Sequence, residues 1–509
     1  MTNELPTLEP EVFRRQAHQL VDWMADYLRR VGTLPVQPSA PPGAVRSQLP
    51  AEAPDRPEGF ERIIRDFEAI IMPGMTHWGH PRFFAYFPAN SSPPSILAEM
   101  LTATLGAQCM SWNTSPAATE LEQVTMDWLR KLVGLPDAFT GVIQDTASTA
   151  TLVALITARD EALRRHDAKA PGADPRRHGE PPVSIDRLTV YASEEAHSSV
   201  AKGARMAGFG PDRVRAIPAD DRFAMRETLL ATAIEADRKA GLIPACVVAT
   251  VGTTSTTGID PVPAIAAMCR RESIWLHIDA AWGGSAAILP EMRWIFEGAD
   301  QADSLVFNPH KWMLVNFDCT AYFVRDRDAL RRSFATSPAF LKAEHDDRVV
   351  NYRDWGIQLG RRFRSLKLWF VIRTYGVDGI RAMIREHIRL GRLLAEWVEQ
   401  DGRFELMAPA PLALVVFRYL GEDAGKGGVP GGEREIDTLN ERLLQRLHAG
   451  GRIMLTQTRA KGKYAIRLAL GHLTTREEDV RSAWETIRSA AAELEDTGGA
   501  GSGNQGRGE

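Results

Sequence analysis

The chain has 509 residues, 44% of them apolar, enough for one large domain plus a smaller one or for two or three domains, and too many for a peptide-sized binder. Its formal net charge is -4 with acidic and basic residues interspersed, so nothing favours nucleic acid or an anionic membrane as partner. Cys109, Cys246, Cys269 and Cys319 are scattered without Cys-x-x-Cys spacing, which speaks against a zinc site or a disulfide framework and predicts buried, reduced side chains; no metal is expected.

The first residues lack a basic stretch followed by an apolar run, and no stretch of about 18 apolar residues occurs, so a cytoplasmic protein that spans no membrane is expected. Residues 11–31 carry Phe13, Leu20, Trp23, Met24, Tyr27 and Leu28 at helical spacing, and a proline-rich break follows at 35–42. This predicts an amphipathic helix and an extended arm. The helix needs an apolar surface to cover, on its own subunit or on a second one, and the second is favoured.

From 141 to about 324, apolar runs at 188–191, 245–250, 274–279, 304–307 and 319–324 alternate with helical patterns. That alternation predicts an α/β fold, a mostly parallel sheet flanked by helices, with ligands at the carboxyl ends of its strands. A helix-rich segment at 380–399 precedes strand-like runs at 412–419 and 464–470, suggesting a smaller C-terminal α+β domain. The expected division is an N-terminal helical arm serving dimerisation at 1–90, a large cofactor domain at 91–375, a small domain at 376–495 and a disordered tail at 496–509. Segments 167–182 and 422–435, rich in Gly, Pro and charge, read as surface insertions.

Four polar clusters fall at strand ends. Gln144-Asp145-Thr146-Ala147-Ser148-Thr149 opens the apolar helical pattern of Leu152, Leu155, Ile156 and Ala158. Free N–H groups there would suit a phosphate, with Ser148 as a side-chain donor, although alone the segment reads first as an ordinary N-cap. His197, in the strand-to-helix turn Ser193-Glu194-Glu195-Ala196-His197-Ser198-Ser199, is placed to stack on a cofactor ring and to meet a substrate carboxylate; alone it reads as a capped, hydrogen-bonded histidine. Thr253-Thr254 forms the third cluster. The fourth, Asn308-Pro309-His310-Lys311-Trp312, places a lysine where a surface charge is badly placed, 32 residues (311 minus 279) after Asp279, which ends another apolar strand. The pair points to pyridoxal phosphate: the amine forms a Schiff base with the aldehyde, and the aspartate keeps the pyridine nitrogen protonated. Either residue alone reads as a strand-end Asp or a snorkelling Lys.

With these residues assembled, the chain resembles the group II pyridoxal-phosphate decarboxylases that act on aromatic L-amino acids, members of the aspartate aminotransferase superfamily (fold type I). The likeness spans roughly 1–495. It rests also on His77-Trp78, Phe83-Phe84-Ala85-Tyr86-Phe87-Pro88, Ser115-Pro116-Ala117-Ala118-Thr119-Glu120-Leu121-Glu122, Ala196-His197-Ser198-Ser199-Val200, His277-Ile278-Asp279-Ala280-Ala281 and Leu359-Gly360-Arg361-Arg362-Phe363-Arg364. The resemblance implies that Lys311 is the Schiff-base lysine, Asp279 the partner of the pyridine nitrogen and His197 the stacking histidine. It implies that Ala147, Ser148, Asn308 and His310 bind phosphate and that Thr254 contacts the cofactor. Trp78, Tyr86, Phe87 and Pro88 match an aromatic-substrate pocket that the family completes across a homodimer interface, with interlocked N-terminal helices.

One position departs from the pattern. The family's decarboxylases carry, on a loop after the lysine, a tyrosine that protonates the carbanionic carbon once carbon dioxide has left; here that position is Phe340. A phenyl ring cannot donate a proton. Loss of a positioned general acid slows protonation by about 10²- to 10⁴-fold, and oxygen then competes for the carbanion. With phenylalanine here the chain is similar to the aromatic aldehyde synthases, such as those forming phenylacetaldehyde, which release aldehyde, carbon dioxide, ammonia and hydrogen peroxide. The alternative is an amine-forming decarboxylase in which Tyr352, His345 or water supplies the proton.

Gly360 falls where a small residue leaves room for an indole, so tryptophan stays a candidate beside phenylalanine, tyrosine and dopa. Ala89, Gln108 and Met110 replace the threonine, isoleucine and phenylalanine usual in animal members, which leaves carboxylate contact and ring preference open. An aminotransferase would share Lys311 and Asp279 but depend on a keto acid, and a protein using the fold only for binding would stay colourless with pyridoxal phosphate.

Overall fold

The computed structural model describes residues 8–167, 184–335, 348–425 and 432–499. Seven strands form the large sheet: β1 (Thr140–Gln144), β2 (Leu188–Ser193), β3 (Val214–Ile217), β4 (Ile243–Thr250), β5 (Trp275–Asp279), β6 (Ser304–Phe307) and β7 (Thr320–Val324). Their spatial order is β1-β7-β6-β5-β4-β2-β3. Pairings are parallel from β6 through β5, β4 and β2 to β3, while β7 runs antiparallel to both neighbours. The sheet is the mostly parallel one expected, with one reversed strand.

The inner strands β2, β4, β5 and β6 are buried almost throughout because both faces of the sheet are covered. Leu276 and Ile278 of β5 and Val247 and Ala249 of β4 pack in one buried cluster, and Trp275, Ala245 and Val248 in the other. Side chains alternate across a strand, so the two clusters are the two faces of one sheet. Among the strands without a clear apolar run in the sequence, β3 is largely unburied and carries Arg215, and the edge strand at Thr456–Ala460 has the polar run Thr-Gln-Thr-Arg-Ala.

A second sheet contains β8 (Phe404–Leu406), β9 (Leu414–Tyr419), β10 (Thr456–Ala460) and β11 (Lys463–Ala469), ordered β10-β11-β9-β8 and antiparallel throughout. The first apolar cluster continues into its Leu414, Phe417, Ile466 and Leu468. The helix Arg364–Gln400 leads toward this sheet and is interrupted at Gly376, whose φ of 65° is one that glycine adopts at little cost.

The N-terminal helix Pro10–Arg30 forms where its periodicity predicted it, yet it contains no buried residue. Phe13 is 57% exposed, while Trp23 stacks on Tyr27 at 5.5 Å and Tyr27 Oη meets His77 Nδ1 at 2.9 Å. The four cysteines are buried and free. No helix among the described residues is long and apolar enough to cross a membrane.

Candidate active site

The polar clusters gather at the carboxyl ends of β1, β2, β4, β5 and β6. Asp279 closes β5 with its carboxylate buried, Oδ1 accepting the Ala281 N–H at 3.0 Å. The neighbouring β6 leads to Asn308 and a helical turn, Pro309–Trp312, that carries Lys311. Three hydrogen bonds fix this turn: Asn308 N–H to Ala281 O, Lys311 N–H to Asn308 O, both 2.9 Å, and Asn90 Nδ2 to Lys311 O, 2.8 Å. Desolvation holds the Lys311 amine below its usual 10.5, Asp279 opposes that fall, and Arg467 adds to it.

His197 lies just beyond β2. Its Nδ1 accepts the Ser199 N–H at 3.2 Å, so in the neutral ring the proton sits on Nε2. Desolvation keeps its pKa below 6.5, with Asp279 opposing and Lys311 reinforcing the shift. Lys311, Asp279 and His197 are therefore within electrostatic reach of one another, although β4 lies between β5, which carries Asp279, and β2, which leads to His197.

At the β1 end, Thr146 caps the helix Ala147–Asp167, its Oγ1 accepting the Thr149 N–H at 3.4 Å. The cap leaves the first-turn N–H groups of Ala147 and Ser148 without helical acceptors, beside the exposed Ser148 hydroxyl. Thr320 Oγ1 lies 2.8 Å from Asn308 Oδ1 and 3.0 Å from Asp145 O, which joins this helix end to the lysine turn. His310 is buried, and its Nδ1 accepts the Cys319 N–H at 3.0 Å. Desolvation and Lys311 press its pKa to about 3, so the ring is neutral with its proton on Nε2.

Aromatic rings wall the other side. Phe87 stacks on Trp282 at 4.3 Å and Trp282 on Trp312 at 4.4 Å, while Lys311 Nζ stands 5.3 Å from the Phe87 ring centre. Pro88 and Trp312 are neighbours, each about the same distance, 3.5 Å, from where a side chain on Gly471 would begin. Tyr86, at the unusual φ of 53°, stacks on Trp78 at 5.7 Å, and both rings are partly open to solvent.

Gln108, Met110 and Gly360 form a separate group. Gln108 Oε1 accepts the Arg361 N–H at 2.6 Å, Met110 O accepts the Arg353 N–H at 2.8 Å, and a side chain on Gly360 would begin 3.3 Å from Gln108 Nε2. Arg361 pairs with Glu122 at 2.6 Å, and both bond the backbone of Ile143, which holds the group against the edge strand β1. Among the described residues no hydrogen bond joins it to Lys311. Tyr352 is 2% exposed, packed with Trp355 under the Arg361 guanidinium. Phe340 and His345 lie outside the described residues.

Three participants were missed in the sequence. Asn90 ties Lys311 O to Gly471 O and the Leu473 N–H. Trp282 completes the ring stack. Arg467 donates to the backbone oxygens of Thr254 and Ser255, and its guanidinium lies 5.4 Å from the Phe87 ring centre. Only Arg467 left a local signal, a charge inside the apolar run Tyr464-Ala465-Ile466-Arg467-Leu468-Ala469.

A lysine and a carboxylate on neighbouring strand ends, with a helix N-terminus and a histidine beside them, define the site of an enzyme that uses an aldehyde cofactor bearing an anionic group. The pyridoxal-dependent decarboxylase conserved domain matches residues 42–420, and the chain belongs to that family. It is 46% identical to the aromatic-L-amino-acid decarboxylase of Sus scrofa over 95% of this chain and 96% of that protein. It is 41% identical to the phenylacetaldehyde synthase of Arabidopsis thaliana over 96% of this chain and 98% of that protein. The crystal structure of Oryza sativa TDC with PLP and tryptamine superposes with a TM-score of 0.91 at 36% identity, covering 96% of this chain and 100% of the other. The donor set fits pyridoxal phosphate: one amine, one buried carboxylate, free N–H groups with a hydroxyl, and a flat aromatic wall.

Proposed function

We propose that the protein holds pyridoxal 5'-phosphate on Lys311 and converts an aromatic L-amino acid, oxygen and water to the aryl acetaldehyde, carbon dioxide, ammonia and hydrogen peroxide. Bound pyridoxal phosphate supplies an electron sink for the pair left at the α-carbon when the carboxylate departs. Asp279, buried at the end of β5, holds a proton on the pyridine nitrogen. The Ala147 and Ser148 N–H groups, the Ser148 hydroxyl, Asn308 and His310 take the phosphate, Thr254 contacts the cofactor, and His197 covers the ring and offers Nε2–H to the substrate carboxylate. Phe87 and Pro88, with Tyr86 and Trp78 above them, form the apolar wall for the substrate ring.

The aldehyde reading rests on Phe340, which has no proton to give. The burial of Tyr352 beneath Arg361 supports it, because that phenol is not offered to the cleft. The 46% identity to an aromatic-L-amino-acid decarboxylase supports a second reading, in which the product is the arylalkylamine. A homodimer with shared active sites suits both: the uncovered Phe13 and Leu28 of the N-terminal helix leave an apolar surface for a partner.

Incubation in air with each aromatic L-amino acid, with aldehyde, amine and peroxide quantified together, tests this. Aldehyde and peroxide in equal amounts are expected. Amine without peroxide selects the second reading.

A further inference from the structure

Arg467 stands in β11 between Ile466 and Leu468, where the pattern calls for an apolar side chain, and is 4% exposed. Its Nε donates to Ser255 O at 3.2 Å and its two terminal nitrogens to Thr456 Oγ1 at 2.7 Å, Thr254 O at 2.6 Å and Tyr86 O at 3.4 Å. All four acceptors are neutral, and no carboxylate pairs with it among the described residues. Burial draws its pKa down only to about 10, so it stays cationic at neutral pH. A buried charge without a counter-ion is costly, and stability alone does not account for keeping one here.

Its neighbours are the parts of the site that the sheet itself does not position. Thr254 and Ser255 form the turn after β4, and Tyr86 and Phe87 form the aromatic wall. The guanidinium lies 5.4 Å from the centre of Phe87, the ring that Lys311 Nζ approaches to 5.3 Å. A planar fork can hold two carbonyls of one turn and a third from another segment at once, which an ammonium on a flexible stem does less well. The charged and titratable groups around Lys311 are Asp279 from β5, His197 from beyond β2, Arg467 from β11 and, on its own turn, His310.

We propose that Arg467 is a positioning residue of the active site: from the C-terminal sheet it locks the turn of Thr254 and Ser255 to the wall of Tyr86 and Phe87, and it sets an uncancelled positive charge beside Lys311. The inference rests on the functional reading above and adds a residue to it. The charge disfavours protonation of the lysine nitrogen whether free or bound to the cofactor, and the clamp sets the width of the cleft between cofactor and substrate ring.

The test compares wild type, R467K and R467M, each loaded with pyridoxal phosphate, by pH titration of the visible absorbance band and by steady-state kinetics. R467M should move the midpoint upward by about one pH unit, as removal of a nearby like charge does. Its kcat should fall roughly tenfold or more through lost alignment, with KM little changed. R467K should restore the midpoint but only part of kcat. An unmoved midpoint or an unchanged kcat in R467M overturns the proposal. Should R467M fail to fold by circular dichroism, R467K decides, and wild-type kcat there overturns it. A wild-type protein that gains no visible band overturns the functional reading and this proposal with it.

Discussion

The Trp312 indole N–H donates to Nδ1 of His387 across 3.0 Å, tying the turn that carries Lys311 to the helix Arg364–Gln400. Burial holds His387 at a pKa of about 4, so the ring is neutral; Nδ1 accepts, and Nε2–H donates to His472 O at 3.1 Å. Replacing His387 by leucine strands a fully buried indole N–H at a cost of about 1 to 3 kcal/mol. Chemical unfolding of His387→Leu should show that loss, together with a lower kcat from a misplaced lysine. Wild-type stability would contradict this role.

The product should follow the residue at 340. Phe340→Tyr restores a group able to protonate carbon, and a positioned acid speeds such a step by about 10²- to 10⁴-fold, so amine should displace aldehyde and peroxide. The ratio of amine to peroxide under air is the readout, and an unchanged ratio would show that the loop phenyl does not choose the product.

Asp279 should matter for turnover more than for retention of the cofactor. Asp279→Asn keeps the shape but removes the charge that holds a proton on the ring nitrogen, and kcat should drop by at least about 100-fold. The phosphate contacts are untouched, so visible absorbance after gel filtration should persist. Full activity in this variant would sink the assignment.

Stability should decline on the acid side of neutrality. Burial holds His80, His277 and His387 at about 4 and His310 and His472 at about 3. In the unfolded chain each binds a proton near 6.5, so this stability is present above that value and is lost as pH falls, by roughly 1.4 kcal/mol per unit for each histidine. Asp260, pushed up to about 7 by burial, and Asp303, also raised, act in the opposite sense, because each takes up a proton on folding. His77 and His197 are also lowered and Glu195 also raised, so seven groups against three give a net loss. A melting temperature that stays constant between pH 6.5 and 4.5 would contradict this balance.

The strand ends were legible because their signals are local: an apolar run, then Asp279 or Asn308 to Trp312, all within a few residues. The mostly parallel sheet followed from the alternation of strands and helices, although nothing local announced that β7 is reversed. Asn90, His387 and Arg467 could not be placed in this way. Each acts on a group more than 70 residues away along the chain, such as Asn90 on Lys311 with a separation of 221 and His387 on Trp312 with one of 75, and no periodicity encodes such a contact. Trp78 and Tyr86 were read as pocket residues by resemblance; in the structure they stack on each other and are partly exposed.

Reduction of the loaded protein with borohydride, followed by peptide mass mapping, identifies the lysine that carries the cofactor. The pyridoxyl group should be fixed to Lys311, and Lys311→Ala should carry no label and no decarboxylation activity. A label on another lysine, or full labelling of the Lys311→Ala protein, would contradict this assignment.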